Sequence, residues 1–332
     1  VGPFISQLLW MNIPYGAMTI RQQYRVPVPD DDYMTSYASW LSIQNGTPAP
    51  YGNNFDAASR HIRNGRDLTE YVHRDFTYQA FLNAALILLS YGAPALDDAN
   101  SYKTSVTQGG FATFGGPHIL DLVARVANLA LKAAWFQKWQ VHRRVRPEEF
   151  GGLVHLAKTG QANYPIHAKL ADSAALSAVQ SKFGTYLLPM AYPEGCPTHP
   201  AYPGGHATIS GACATVLKAF FKESFVLPVP VIPSEDGSTL NGLNGVTLTV
   251  GGELNKLASN IAYGRDTAGM HWRSDEVAGL RLGETVAISV LQDFNATFNE
   301  RFDGFSLTKF DGTPIQITER VSAVGRAERA IL

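Results

Sequence analysis

The sequence predicts a mainly α-helical bundle with minor short strands, forming one domain over residues 1–332. Helix-length apolar segments recur along the chain, and residues 119–139 are apolar on nearly every face, as expected of a central helix. Strand signals are scarce, and only residues 246–250 alternate like one strand of a hairpin. A hydrophobic content of 45% in 332 residues is typical of a chain that buries a large core.

The two ends of the chain differ from its middle. Residues 1–66 are rich in proline, which predicts a loop-rich portion with short helices at residues 5–9 and 33–44. Residues 301–332 are polar and are expected to form a surface tail.

The helical core is predicted to span residues 67–300. Apolar periodicity and turn residues place its helices at residues 67–91, 119–139, 168–186, 208–225, 253–262 and 274–298. Residues 95–116 are glycine-rich and polar and are predicted to form a loop, and Pro147 is expected to halt regular structure.

Charge and composition exclude several classes of protein. A net charge of −1 argues against nucleic acid or an anionic membrane as the main partner. The longest apolar run, residues 80–89, is too short to span a bilayer. The first residues lack a basic start and an initiator Met, so no signal peptide is recognised and the chain is expected to be processed or a fragment. Cys196 and Cys213 leave open one disulfide or two free thiols.

The first of three candidate functional segments begins at Lys138 and continues through a run of arginines that ends at Arg146. The apolar helix before it would carry Lys138 into the interior, where a buried cation needs an anionic partner. Arginine adds a planar fork that holds two oxygens. Taken alone, these residues also suit a helix C-terminus, because cations there complement the helix dipole.

The second segment, residues 199–206, places Gly204, Gly205 and His206 just before a predicted helix. The first N–H groups of a helix have no internal acceptor, and glycines let them approach an oxygen closely. His206 would stand beside a bound anion as a general acid or base, with His199 on the rim. Taken alone, the segment also fits an ordinary glycine turn with a capping histidine.

The third segment contains Arg265, His271 and Asp275. On an unbroken helix, Arg265 and His271 would point about 120° apart, so Gly269 is expected to break the helix and let them converge. Asp275 follows His271 by one helical turn and is placed to orient its ring. Alone, the segment fits a surface ion pair; together, the three segments fit one oxyanion pocket.

The three segments resemble those of the vanadium-dependent haloperoxidases, which share a fold and pocket with type 2 phosphatidic acid phosphatases. The family pattern is a Lys…Arg-Pro segment, a Pro-Ser-Gly-His segment and an Arg…His…Asp segment, and all three occur here in that order. Seven residues separate Lys138 from Arg146, as in the algal bromoperoxidases. Residues 1–46, 138–152 and 210–222 also resemble the algal and cyanobacterial bromoperoxidases.

The resemblance implies a vanadate cofactor that is bonded through a ring nitrogen of His271. It implies that the following residues line the vanadate oxygens: Lys138, Arg146, Gly204, Gly205 and Arg265. It also implies that His206 assists proton transfer as peroxide binds, that Asp75 orients His206, and that His199 lies beside the cofactor.

One position departs from the family pattern, because the serine before Gly-His is Gly204 here. The missing hydroxyl would remove one hydrogen bond to a charged group, about 1.5–3 kcal/mol. The sequence therefore predicts weakened cofactor binding and weakened activity toward the harder halides. It also predicts that Gly204→Ser strengthens vanadate binding.

The function predicted from this resemblance is vanadate-dependent oxidation of bromide or iodide by hydrogen peroxide, with halogenation of small organic substrates. One alternative is an acid phosphatase that forms a phospho-His271 intermediate. Another is a non-catalytic anion-binding or structural helical domain. The resemblance further implies a homo-oligomer, an extracellular, periplasmic or cell-wall location, and a structural calcium ion, for which Asp97 and Asp98 are candidates.

Overall fold

Helix α8 (Gly205–Phe220) runs through the middle of the fold and is buried from Ala207 to its end. Its sequence permits this position because small and apolar residues occupy every face of the helix. Three long helices pack around it: α4 (Gly116–Phe136), α9 (Val250–Thr267) and α10 (Arg273–Asn295). The predicted mainly α-helical class is therefore confirmed within residues 2–318, which the computed structural model describes.

Glycines bring α8 and α10 unusually close together. A Cβ on Gly283 would overlap the backbone of Thr208, and a Cβ on Gly211 would overlap the backbone of Leu280. This close approach sets the N-terminal turn of α8 beside the N-terminal turn of α10. The residues of the second and third sequence segments are thereby brought together.

The remaining elements are shorter and lie around this core. The other helices are α1 (Tyr37–Gln44), α2 (Gly65–Arg74), α3 (Gln79–Ser90), α5 (Pro147–Lys158), α6 (Ala168–Ala171) and α7 (Ala174–Phe183). Short 3-10 turns lie at Gln7–Leu9 and Ala93–Ala95, and one π-helical segment lies at Gln137–His142.

The strands form four separate antiparallel pairs. They are β1 (Ile13–Tyr15) with β2 (Met18–Ile20), β3 (Tyr24–Pro27) with β4 (Phe55–Arg60), β5 (Val231–Pro233) with β6 (Leu240–Gly242), and β7 (Phe305–Thr308) with β8 (Pro314–Ile317). The N-terminal portion thus contains paired strands in addition to the predicted loops and short helices.

The single helix predicted over residues 67–91 is wrong, because α2 and α3 are separate. The chain leaves the helical conformation at Asp75, which has φ −62° and ψ 140°. Apolar periodicity continues across this break, so the pattern did not reveal it. The Asp75 carboxylate instead makes a tertiary contact with His206. Residues 168–186 are likewise split into two short helices, α6 and α7.

Pro147 begins a helix, contrary to the prediction that it halts regular structure. It occupies the first position of α5, where its missing N–H has no intrahelical partner to lose and its fixed φ suits the helix. Residues 246–250 are also not a strand. The side chain of Thr249 accepts a hydrogen bond from the Gly252 N–H and caps α9, which begins at Val250.

The predicted polar surface tail is only partly right. Phe305, Leu307 and Ile317, on the β7–β8 hairpin, are buried against the main core. The last part of the predicted tail, residues 319–332, lies outside the described residues. None of the described helices combines the length and apolar character needed to cross a membrane.

Candidate functional site

Lys138 lies in the π-helical segment that follows α4 and is fully buried. Its Nζ donates to the carbonyl oxygens of Pro200 and Ala201, at 2.7 and 2.8 Å. Burial, together with the charge of the nearby Arg146 guanidinium, lowers the pKa of Lys138 to about 7. The apolar helix therefore delivers a cation into the interior, as the sequence predicted for this position.

Arg146 is the residue that caps the start of α5, and it is 3% exposed. Its Nη1 donates to the Met270 carbonyl oxygen at 2.8 Å and lies 3.0 Å from His271 Nε2. Its Nε donates to the His199 carbonyl oxygen at 2.9 Å. Arg146 thus connects the first sequence segment to both of the others.

Arg265 completes the set of buried cations from the last turns of α9. Its Nη1 donates to the Val72 carbonyl oxygen at 2.9 Å, and its guanidinium lies 5.7 Å from the centre of the Tyr192 ring. Its Nε is buried without a hydrogen-bond partner. A buried N–H donor with no acceptor indicates that a ligand atom belongs there.

These three cations share an uncommon property. Within residues 2–318, none of them forms an ion pair with a carboxylate, and their direct partners are backbone carbonyls and histidine rings. Burying one cation without a counter-charge is costly, and burying three together is costlier still because they repel one another. The arrangement therefore fits a polyvalent anion that is bound between them.

His271 lies in the turn between α9 and α10. Gly269 adopts φ +82° in this turn, so the chain cannot continue as a helix from α9. The break predicted from Gly269 is therefore present. His271 Nδ1 lies 3.1 Å from Asp275 Oδ2, and that carboxylate also accepts from the Trp272 N–H at 2.9 Å. Because Asp275 accepts at Nδ1, the proton sits there and leaves the Nε2 lone pair toward Arg146.

The charge state of His271 follows from its surroundings. Burial, followed by Arg146, Lys138 and Arg265, holds the pKa of His271 well below its usual value. The ring is therefore neutral at ordinary pH. A neutral imidazole with Nδ1–H bound to a carboxylate is the form that coordinates a metal through Nε2.

The N-terminus of α8 provides the third side of the site. Gly205 and His206 are its first two residues, so their N–H groups have no acceptor within the helix. His206 Nε2 lies 2.9 Å from Asp75 Oδ1, and the Asp75 side chain is 2% exposed. The N–H of Gly204 already donates to the Asp275 carbonyl oxygen at 2.9 Å. Gly205, rather than Gly204, thus has the available N–H.

Gly204 faces a side chain that the sequence reasoning did not single out. A Cβ built on Gly204 would lie 2.9 Å from Glu276 Cδ and closer still to Glu276 Oε2. The prediction that Gly204→Ser strengthens vanadate binding takes no account of this contact. A serine at position 204 would first have to displace the Glu276 carboxyl group.

His199 lies where the site opens toward solvent. Its ring packs against Trp135, with 4.6 Å between ring centres, and accepts from Arg146 Nη2 at 3.1 Å. Burial lowers the pKa of His199 to about 3, and the charges of Arg146 and Lys138 act in the same direction. A cavity of about 870 Å³ reaches Arg146 and His199 from outside, and its wall includes Trp139 and Glu194.

Two contributors to the site were missed or left without a role. Arg144 was noted only as part of a basic run, yet its Nη1 donates to Asp275 Oδ1 at 3.1 Å. Glu276 follows Asp275 directly, and its carboxyl group points toward Gly204. Adjacent residues on a helix do not normally share a face, so spacing alone gave no signal for Glu276.

The chain is similar to known proteins over most of its length. The family model of the VCPO second helical-bundle domain matches residues 120–300. The chain is 41% identical to a vanadium-dependent bromoperoxidase of Corallina pilulifera over 92% of this chain and 55% of that protein. It is 40% identical to a vanadium-dependent bromoperoxidase of Ascophyllum nodosum over 95% of this chain and 59% of that protein.

A solved structure extends the comparison to the fold. The homohexameric second vanadate-dependent bromoperoxidase of Ascophyllum nodosum superposes with a TM-score of 0.88 and 34% sequence identity, over 96% of this chain and 59% of that one. The chain thus spans somewhat more than half the length of these relatives. The chain belongs to the family of the VCPO second helical-bundle domain, as its resemblance to the vanadium-dependent haloperoxidases implied.

Proposed function

We propose that this chain is a vanadate-dependent haloperoxidase that uses hydrogen peroxide to oxidise bromide or iodide. The observation that carries the proposal is a cluster of three buried cations around a neutral His271, none of them ion-paired with a carboxylate among the described residues, with Arg146 directly beside the free ring nitrogen. The names of the bromoperoxidase relatives support the same activity. The overall reaction balances as H2O2 + Br⁻ + H⁺ → HOBr + H2O, and the hypobromous acid then halogenates small organic substrates.

The residues present fit a bound vanadate. Lys138, Arg146 and Arg265 offer donors to its oxygens, and the unpartnered Nε of Arg265 provides a donor that no protein atom uses. His271 Nε2 offers the single nitrogen ligand. When bound, vanadate supplies a Lewis acid that activates peroxide for attack by halide.

His271 is held in one orientation by Asp275. The carboxylate fixes the ring through Nδ1, while Arg144 and the Trp272 N–H hold the carboxylate. These contacts keep Nε2 directed toward Arg146 and the pocket. Contacts within the protein therefore fix this orientation.

The cations and the α8 N-terminus supply fixed positive charge. Lys138 and Arg146 are anchored by backbone carbonyls, so they do not reorganise as charge develops on bound oxygens. The Gly205 N–H adds a partial positive charge from the helix dipole. Charge drawn away from peroxide makes one of its oxygens susceptible to halide attack.

His206 is the proposed proton-transfer residue. It faces the site from the first turn of α8, and Asp75 accepts at its Nε2. A histidine that is oriented by a carboxylate can take a proton from peroxide and return it to the leaving oxygen. His199 is proposed to lie at the entrance used by peroxide, halide and organic substrates.

Oligomer formation and cellular location belong to this proposal. The related Ascophyllum nodosum protein is a homohexamer, and this chain exposes Phe136, Trp139 and Val141 near the site opening. We propose a homo-oligomer, which light scattering of the purified protein tests. An extracellular, periplasmic or cell-wall location stays a prediction from the resemblance.

Vanadate is the proposed cofactor, and the structural calcium ion, for which Asp97 and Asp98 are candidates, stays a prediction. Asp98, one candidate for the structural calcium, pairs with Lys103 and Lys222 at 2.7 Å each. Among the described residues there is no group of three or more His, Cys, Asp and Glu side chains arranged for a metal ion. The proposed vanadate site differs from such a group because it uses only one histidine as its protein ligand to the metal.

The decisive experiment is bromination of a phenol dye by the purified chain with orthovanadate, peroxide and bromide. We expect turnover that depends on vanadate and is inhibited when phosphate is added before vanadate. Equal rates without vanadate would contradict the proposal. Hydrolysis of phenyl phosphate in the absence of vanadium would support the acid phosphatase alternative through His271.

A further inference from the structure

Glu276 is the most heavily buried acidic group near the site without a hydrogen bond. It lies in the first turn of α10 and is 0% exposed. Both of its carboxyl oxygens are buried and have no hydrogen-bond partner. The nearest cationic or titratable nitrogen within ion-pair range is His271 Nδ1, at 3.8 Å, and that nitrogen is already directed at Asp275.

The position of this carboxyl group is set by the absence of a side chain at Gly204. All three atoms closest to a Cβ on Gly204 belong to the Glu276 carboxyl group. The carboxyl group therefore fills the corner of the pocket that a residue-204 side chain would enter. Gly204 immediately precedes Gly205 and His206, so this corner borders the α8 N-terminus that faces the anion.

The surroundings of Glu276 favour its neutral form. The side chain is fully buried, and neither carboxyl oxygen has a hydrogen-bond partner that would stabilise a charge. An ionised carboxylate with no hydrogen bond is costly in such a place. A neutral carboxyl group instead carries an O–H donor, and two buried oxygens without partners mark a place where a ligand atom fits.

We propose that Glu276 contacts the bound oxyanion at the Gly204 corner and donates a hydrogen bond to it in place of a side chain at position 204. The inference rests on the proposed function, since it assumes that an oxyanion binds between the cations. It adds a contact residue on α10. It also explains sterically why position 204 is glycine: a side chain there would collide with the Glu276 carboxyl group.

The test measures binding of orthovanadate and inorganic phosphate to the vanadium-free protein by calorimetry. Glu276→Gln keeps the size and offers an amide donor, so we expect affinity close to wild type. Glu276→Met keeps the size and removes the donor, so we expect a dissociation constant at least about tenfold higher. Glu284→Gln, on the same helix and also buried but hydrogen-bonded to the Phe310 N–H, is the matched control and should bind as wild type.

A double variant tests the link to Gly204. Gly204→Ser alone should weaken anion binding because the serine displaces Glu276, whereas Gly204→Ser with Glu276→Ala should bind more tightly than Glu276→Ala alone. Thermal melting of each anion-free variant identifies any that fail to fold. If a Gly204 variant does not fold, the comparison of Glu276→Gln with Glu276→Met still tests the proposal.

The outcomes separate the two levels of inference. Wild-type protein that binds neither anion overturns the proposed function. Wild-type protein that binds, together with a Glu276→Met variant that binds as well or more tightly, overturns the role of Glu276 alone. Tighter binding by both Glu276→Gln and Glu276→Met would identify Glu276 as a repelling charge and would also reject its role as a donor.

Discussion

Asp75 and His206 are 131 residues apart in the chain, yet Asp75 Oδ1 lies 2.9 Å from His206 Nε2. The contact exists because the chain leaves α2 at Asp75, with an extended backbone, before α3 begins. The Asp75 carboxylate is almost fully buried, whereas the His206 side chain is about one-fifth exposed. The histidine thus has one nitrogen fixed by protein and remains accessible from the pocket.

The first prediction concerns this pair. Asp75→Asn keeps the size of the side chain and replaces the charged acceptor with an amide that can present either its oxygen or its NH2 group, so the tautomer and orientation of His206 are no longer fixed. We expect the rate of bromide oxidation to fall at least about tenfold, while vanadate affinity changes little. Steady-state bromination rates at saturating vanadate, compared with calorimetric vanadate affinity, check both parts. A parallel loss of affinity would contradict the assigned role.

The second prediction concerns the support of His271. Asp275→Asn offers an amide where Nδ1–H now meets a carboxylate, which weakens the hold on the Nδ1–H tautomer. We expect vanadate affinity to fall about 10- to 100-fold. Asp266→Asn is the control, because Asp266 is close in sequence but has no hydrogen bond to His271. Equal effects of the two substitutions would show that Asp275 acts only through general charge.

Much of the site could be predicted from the sequence because its residues lie in short segments with distinctive chemistry. Lys138, Arg146 and Arg265 were identified as cations, and the burial of Lys138 followed from the apolar helix that carries it. Gly269 was recognised as a break, since glycine tolerates its positive φ. Each of these inferences used information that is local in the sequence.

The features that escaped prediction depend on tertiary contacts. The break at Asp75 interrupts a continuous apolar pattern, and the partner that Asp75 contacts, His206, is distant in sequence. The role of Glu276 depends on how closely α8 and α10 approach, which no spacing encodes. Pro147 was misread for a local reason, since proline both stops and starts helices.

The third prediction tests whether the close approach of α8 and α10 at Gly211 and Gly283 positions the site. A Cβ on Gly283 would overlap the Thr208 carbonyl, so Gly283→Ala should force α8 and α10 apart. We expect a loss of about 1–3 kcal/mol in the free energy of unfolding, with weaker anion binding because the two helix N-termini separate. Urea unfolding and calorimetry measure these effects. Gly109→Ala, where a Cβ meets nothing within 4 Å, should leave both values unchanged.

The fourth prediction uses the depressed pKa of Lys138. Its pKa is about 7 in the folded protein, because of burial and then Arg146, and about 10.4 in the unfolded chain. Between these values the unfolded chain binds the additional proton, so the stability contributed by Lys138 rises as pH rises from 7 toward 10. Below pH 7 both states are protonated, and this dependence disappears.

Lys138→Met provides the comparison, since it fills the same space without a titrating group. In the absence of anions, the unfolding free energy of wild type relative to Lys138→Met should rise by about 1 kcal/mol per pH unit between pH 7.5 and 9.5. Phosphate that is bound beside the ammonium group would raise the pKa of Lys138, so saturating phosphate should flatten this slope. Urea unfolding at several pH values, with and without phosphate, measures both slopes. A slope unaffected by phosphate would mean that the anion does not bind next to Lys138.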